Sequence, residues 1–284
     1  MMQMVINGIV LGSVIALAAI GLSMIYGILN FANFAHGDLM ALGAYLAFVF
    51  NVIFEMNFLV ACTLSIILSS LICVLFDYLI WKPMRRKSAG RVSLIIISIG
   101  LALFIRNLII FLWGPDIKRY ALPVRRGIDI GSVVITQNQI AVIIVAVASM
   151  FFLHFILKRT TIGTAMRALS DNIDLAKASG IDVDSVIRYT WAIGIALAAI
   201  GGILYGVLTN INPNMGWFMV LPMFAAAILG GIGNPYGAMI GGLVIGLAQE
   251  ISTAILPTEY KLAVGFIIMI AVLLVRPQGI LGGV

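Results

Sequence analysis

KRTTIGTAMRALSDNIDLAKASGIDVDSVIR, residues 158–188, is the longest run in this 284-residue chain that is not dominated by apolar residues. Long apolar runs precede and follow it, so its reading decides the fold: a water-exposed segment carried between membrane spans. Within it Ala165, Leu169, Ile173 and Ala176 recur at helical spacing and draw a narrow apolar stripe on a charged surface. Asp171 followed by Asp174 reads as a helix start, with acids in the first turn. Gly180 suits the left-handed position that ends such a helix, and Asp182 and Ser185 can cap the next. The expectation is a short, bounded helix presented to the aqueous phase. A plain solvated connector is the simpler alternative.

The composition around this segment is that of an integral membrane protein. Hydrophobic residues make up 62% of the chain and charged ones 10%, with a mean hydropathy of +1.16, against roughly a quarter charged in soluble domains. The apolar runs approach or exceed the roughly 20 residues that cross a bilayer as helix. They lack the dyad alternation of barrel strands, so the fold class is all-α, one polytopic domain over residues 1–284. The formal charge of +6 comes mainly from loops, which orientation in a membrane explains better than nucleic acid does. Cys62 and Cys73 lie eleven positions apart on one expected helix. At 1.5 Å per residue that separates them by about 16 Å, too far to pair. No Cys and His cluster suggests a metal.

Expected spans cover about 5–29, 39–53, 58–81, 92–113, 139–157, 189–208 and 260–275. The first has no basic segment ahead of it and reads as a retained helix rather than a cleaved signal, with Gly8, Gly12 and Gly21 allowing close packing. Residues 218–229 and 238–256 are apolar and flank GGIGNPYG, which reads either as two spans meeting at a tight turn or as a re-entrant pair. The total is eight or nine transmembrane helices. Residues 81–91 carry Lys82, Arg85, Arg86, Lys87 and Arg91 without one acid, and the positive-inside rule places that loop in the cytoplasm. Such a loop also suits anionic membrane lipid. By parity 158–188 is cytoplasmic and 114–138, with Arg125 and Arg126, is extracytoplasmic. With nine spans the N-terminus is outside and the basic loops 81–91 and 158–188 are inside.

Polar side chains at depth mark candidate sites, because each needs a partner or water there. NFANFAHGDL, residues 30–39, interleaves Asn30, Asn33, His36 and Asp38 with Phe31 and Phe34 at a break between apolar runs. Broken helices are a common place for transporters to bind substrate; the competing reading is an interfacial turn capped by Asp38. Glu250 is an acid in the middle of an apolar run and joins this candidate translocation path. Arg106 sits well inside the fourth span and needs an outward reach toward Trp113 or an acid, with Asp38, Asp77 and Glu250 as candidates.

The chain has no GxxxxGK[ST] loop, and the glycines of 230–237 lack the lysine and hydroxyl that would hold a nucleotide. No catalytic constellation stands out, and His36 and His154 are unaccompanied. Uphill transport would therefore draw its energy from an ATPase partner at the cytoplasmic loop or from an ion gradient through the buried acids. The latter describes an ion-coupled secondary transporter or channel for small polar solutes, built on Asp38, Arg106 and Glu250. A membrane scaffold without transport is a third reading.

GLSMIYGILNFANFAHGDLMALGAY (21–45), RALSDNIDLAKASGID (167–182), AAAILGGIGNPYGAMIGGLVIG (225–246) and RPQGILG (276–282) resemble the permease subunits of branched-chain amino acid ABC importers, the LivH-type class. The likeness runs through nearly the whole chain in order. It implies that 167–182 is a coupling segment seated in a groove of an ATPase subunit, with Arg167, Ala168, Asp171, Ala176 and Gly180 on the matching positions. It also implies two ABC ATPase subunits that bind the ATP, a second related permease subunit, an extracytoplasmic substrate-binding protein and a bacterial inner membrane. The chain itself would hold no cofactor and catalyse no reaction. Two positions depart from the pattern: Asp38 stands where Glu is frequent, and Pro222 where Lys is common.

Overall fold

Apolar runs in a solvent without water must satisfy every backbone group internally, and here they do so as helices. The computed structural model describes residues 1–123, 127–130 and 133–282, so Arg125 and Arg126 of the long polar loop lie outside the described residues. In chain order the helices are α1 (Met2–Leu29), α2 (Ala35–Phe48, prolonged by a π turn Val49–Ile53), and α3 (Phe58–Phe76). A second π turn, Asp77–Trp81, carries α3 straight into α4 (Lys82–Arg86). Then come α5 (Arg91–Trp113), a hairpin of β1 (Ile128–Ile130) and β2 (Val133–Ile135), and α6 (Gln137–Arg159). The chain continues through α7 (Thr161–Asp171), α8 (Ile173–Ala178), α9 (Val183–Leu208), α10 (Met215–Gly230), α11 (Pro235–Ser252) and α12 (Lys261–Val275). Among the described residues seven helices are long and apolar enough to cross a membrane: α1, α2 with its π turn, α3 through α4, α5, α6, α9, and α12 with the turn before it. The α10 helix is apolar but shorter.

α1 is the central helix, nearly all of its apolar stretch enclosed by protein. Glycine makes this possible. A β-carbon on Gly8 would fall 2.8 Å from Leu247 Cα, one on Gly12 2.9 Å from Leu243 Cα, and one on Gly21 2.3 Å from the Gly194 carbonyl oxygen. α1 therefore lies backbone to backbone against α11 and α9, the close approach that small residues permit in lipid. α12 sits at the periphery with almost none of its length covered.

The helix ends follow capping chemistry. Thr136 and Gln139 form a reciprocal capping box at the start of α6. Asp182 accepts from Ser185 N ahead of α9, so α9 begins at Val183, six positions before the expected start, because its first turn is polar while the helix is not yet in hydrocarbon. Asn234 Oδ1 accepts from Tyr236 N and Gly237 N, at 3.0 and 3.2 Å, with Pro235 in the first turn of α11. The RPQGILG segment caps α10 from a distance: Ile280 N donates to Leu229 O and Leu281 N to Gly230 O, and Asn234 Nδ2 donates to Leu281 O. Replacing Asn234 by alanine removes both the cap and this tie and is expected to cost about 1–2 kcal/mol. A fall in the thermal midpoint of the detergent-purified protein checks it.

Apart from the turn at residues 31–34, where Phe31 and Asn33 are buried, the described loops gather at the two ends. At one end Lys82 pairs with Asp184 at 2.8 Å and Ser170 Oγ donates to Gly27 O, gathering the basic turn, the α7–α8 segment and the end of α1. At the other, Ala121 N donates to Asn51 Oδ1, Lys118 bridges Ile211 and Arg119 Nε donates to Asn210 Oδ1. The hairpin, absent from the sequence expectation, is held at that end by Gln3, which bonds both the N–H and the carbonyl of Val134.

Candidate functional site

α1 ends on Asn30 in the left-handed region, φ 54°, its N–H donating to Tyr26 O. The chain then turns back non-helically through Phe31–Phe34 before α2 starts, at a depth set by His36, which meets Ala18 in the middle of α1. Irregular backbone at such depth needs partners. Ser98 of α5 supplies one: its Oγ accepts from Phe34 N at 3.1 Å and donates to Ile95 O at 2.7 Å, with Ala32 O 3.4 Å away. Asn33 Oδ1 accepts from Ala35 N at 3.1 Å, closing an Asx turn onto the new helix. His36 Nε2 lies 3.0 Å from Ala18 O, so the acceptor assigns the proton to that nitrogen. Asn33 Nδ2 and His36 Nδ1 are buried without a partner among the described residues.

Asp38 is not the interfacial cap of the simpler reading. It is 1% exposed, inside the first turn of α2, with Asn33 and His36 fully buried beside it. Arg106 meets it in a two-pronged pair, Nε to Oδ1 and Nη2 to Oδ2, both 3.0 Å. The same guanidinium lies 5.0 Å from the ring centroid of Trp217, at the start of α10. Of the three acids open to Arg106 the structure thus selects Asp38, while Asp77 is held by Arg85. Charge is neutralised where α2, α5 and α10 meet.

The other two path candidates lie elsewhere. Asn30 is exposed at the basic end. Glu250 is in the last turn of α11, not mid-span, because the helix stops at Ser252 and the chain turns back to bring Lys261 Nζ to 2.5 Å from it. Sequence reading missed Ser98, Trp217 and Lys261. A hydroxyl inside an apolar helix and a tryptophan opening one are the faint signals it had. No cluster of three or more metal-ligating side chains occurs among the described residues.

The 158–188 segment folds as two helices. Thr160 caps α7 by accepting from Gly163 N, and Gly163 sits so tightly on Leu157 that a β-carbon would fall 2.6 Å from its Cα. Asn172, extended at φ −159°, breaks the run and accepts from Leu175 N, so the cap of α8 is Asn172 and Asp171 closes α7. Arg167 bonds back to Gly163 O and Thr164 Oγ1 on its own helix. Leu169 and Ala176 are buried, Ala165, Ala168 and Ile173 half-buried, and Asp171 exposed. Gly180 takes φ +85°, as its position required. Asp182 is held by the Ser185 hydroxyl, which keeps its carboxyl below the ordinary carboxylate range. Leu175 stands 66% exposed on α8.

An apolar helical bundle with an ion-paired, broken-helix interior and a folded polar segment fastened to one end defines a polytopic membrane permease. More narrowly, the chain belongs to the family described as branched-chain amino acid transport system / permease component, whose profile matches residues 4–273. It is 35% identical over 297 residues to the high-affinity branched-chain amino acid transport system permease protein BraD of Pseudomonas aeruginosa, covering 99% of this chain and 95% of that one. It is 37% identical to LivH of Escherichia coli K12 over the same shares. Among solved structures it resembles PsaBC from Streptococcus pneumoniae in complex with Fab, with a TM-score of 0.52, 12% identity and coverage of 96% and 91% of the two chains. That likeness concerns the fold.

Proposed function

We propose that this chain is the membrane subunit of an ATP-driven importer that moves branched-chain or related hydrophobic amino acids, or their amides, across the bacterial inner membrane. The observation that carries the reading is the end-to-end similarity to permeases named for that transport, joined to a capped two-helix segment fixed at one end of the bundle. In this reading one of two ATPase subunits engages the segment that carries Arg167, Ala168, Asp171, Ala176 and Gly180, with exposed Leu175 offering an apolar contact and buried Ala176 fixing the segment to the bundle. A second related permease completes the membrane part, and a substrate-binding protein delivers cargo at the end that carries 114–138. ATP-driven closure of the ATPases pushes α7–α8, and the push reaches α1 through Ser170 and α9 through the Gly180 turn.

Nine crossings fit this arrangement. α11 runs antiparallel along α1, Gly242 against Ala16 and Gly246 against Gly12, and α10 runs antiparallel along α11, Ala226 against Gly241 and Gly230 against Gly237. The contact with α1 runs from Gly27 beside Gly233 to Gly8 beside Leu247, a length that supports a full span for α11, with the shorter α10 returning beside it. Among the described residues the path candidates Asn33 and His36 keep one unpartnered polar atom each, whereas Asp38, Arg106 and Glu250 are already paired, which speaks against using them to bind a coupling ion.

Gly180→Pro is the direct test. Proline cannot reach φ +85° and deletes the N–H that donates to Lys177 O. The expected outcome in reconstituted importer is ATP hydrolysis within about threefold of normal, with uptake reduced at least tenfold. Normal uptake would count against the coupling role.

A further inference from the structure

At the end of the bundle that carries α7 and α8, a cleft of about 570 Å³ opens between α4 and α8. Lys82, Arg85 and Arg86 line one wall, Lys177 the other, and Ile28 and Ile187 give it an aliphatic floor. Two of the cations are committed: Lys82 to Asp184 at 2.8 Å and Arg85 to Asp77. Arg86 and Lys177, both exposed, have no salt-bridge partner among the described residues, although Asp174, Asp182 and Asp184 also border the cleft and Asp184 feels the field of Arg86. Asp182 is tied up by Ser185.

Location decides what such a cleft would take. α4 is the unbroken continuation of α3 and its π turn, which together turn Leu71, Leu75 and Leu79 outward, each more than half exposed. Unpaired cations with aliphatic walls, directly beyond a lipid-facing helix, complement a molecule that has an anionic head and hydrocarbon tails. We infer that the cleft between α4 and α8 holds the phosphate headgroup of an anionic phospholipid, met by Arg86 and Lys177. The lipid then bridges the end of α3 to the α7–α8 segment, so bilayer composition bears on how that segment moves. Only this last consequence, and the choice of leaflet, rest on the functional reading above.

The test uses the importer complex in vesicles of phosphatidylcholine with phosphatidylglycerol, followed by native mass spectrometry of the retained lipid. Each cation near a charged surface contributes about a factor of five. R86Q/K177Q should therefore retain phosphatidylglycerol roughly tenfold to thirtyfold less well, while R86K/K177R keeps it. K87Q/R91Q, which removes the same charge outside the cleft, should retain the lipid as the unaltered complex does. Equal loss in K87Q/R91Q would reduce the effect to general attraction and overturn the proposal. So would full retention by R86Q/K177Q, or displacement of the lipid by inorganic phosphate, which would make the ligand a soluble anion. Lipid retention is read without any transport, so it fails or holds separately from the importer reading.

Discussion

Asp38→Ala is expected to destabilise the protein by about 3–5 kcal/mol, because it strands the Arg106 guanidinium, 14% exposed, without its counter-charge. The two-pronged geometry at 3.0 Å gives Arg106 its partner inside the bundle, and Trp217 alone contributes only about 1–2 kcal/mol to a cation. The cost should therefore appear as a large fall in the thermal midpoint in detergent, or as failure to accumulate in the membrane. Removing both charges is a different case. Asp38→Leu with Arg106→Met replaces an ion pair by apolar packing and should recover most of the loss, since such exchanges are often neutral. A double variant no better than Asp38→Ala would mean that the carboxylate matters for more than holding Arg106.

Gly246→Leu should be as damaging, for a steric reason. Any β-carbon at 246 falls 2.2 Å from Gly12 Cα and 2.3 Å from Gly12 N, so backbone must move. The expected loss is about 3 kcal/mol or more, at the upper end of overpacking. Gly100→Ala is the control: among the described residues nothing lies within 4 Å of a β-carbon there, it sits within α5, and the change should stabilise by about 0.5–1 kcal/mol. Thermal midpoints of the two variants moving in the same direction would refute the packing argument.

Much of the architecture was legible because membrane helices are written in long apolar runs, and the described helices coincide with the expected ones in their cores. Their ends were less legible. α9 starts at Val183 and α6 at Gln137, since polar first turns belong to the helix but not to the apolar run that betrays it. In the 158–188 segment the stripe and the Gly180 turn could be read locally. The break at Asn172 could not, because Asp171, Asn172 and Asp174 all make acceptable caps and only tertiary packing chooses among them. The Asp38–Arg106 pair joins residues 68 positions apart, a relation no local pattern encodes. Glu250 misled because hydrophobic residues continue to Leu256 after the helix has ended at Ser252, so its apparent depth was an artefact of composition.

The seam between α1 and α11 also dictates an order of events during synthesis. Gly246 follows Gly12 by about 230 positions, which a ribosome covers in roughly 10–50 s. For that interval α1 waits in the bilayer with its glycine groove facing lipid or the insertion machinery. Biogenesis should therefore be most fragile before α11 arrives, and lesions along this groove should be sensed as quality-control failures rather than as slow transport.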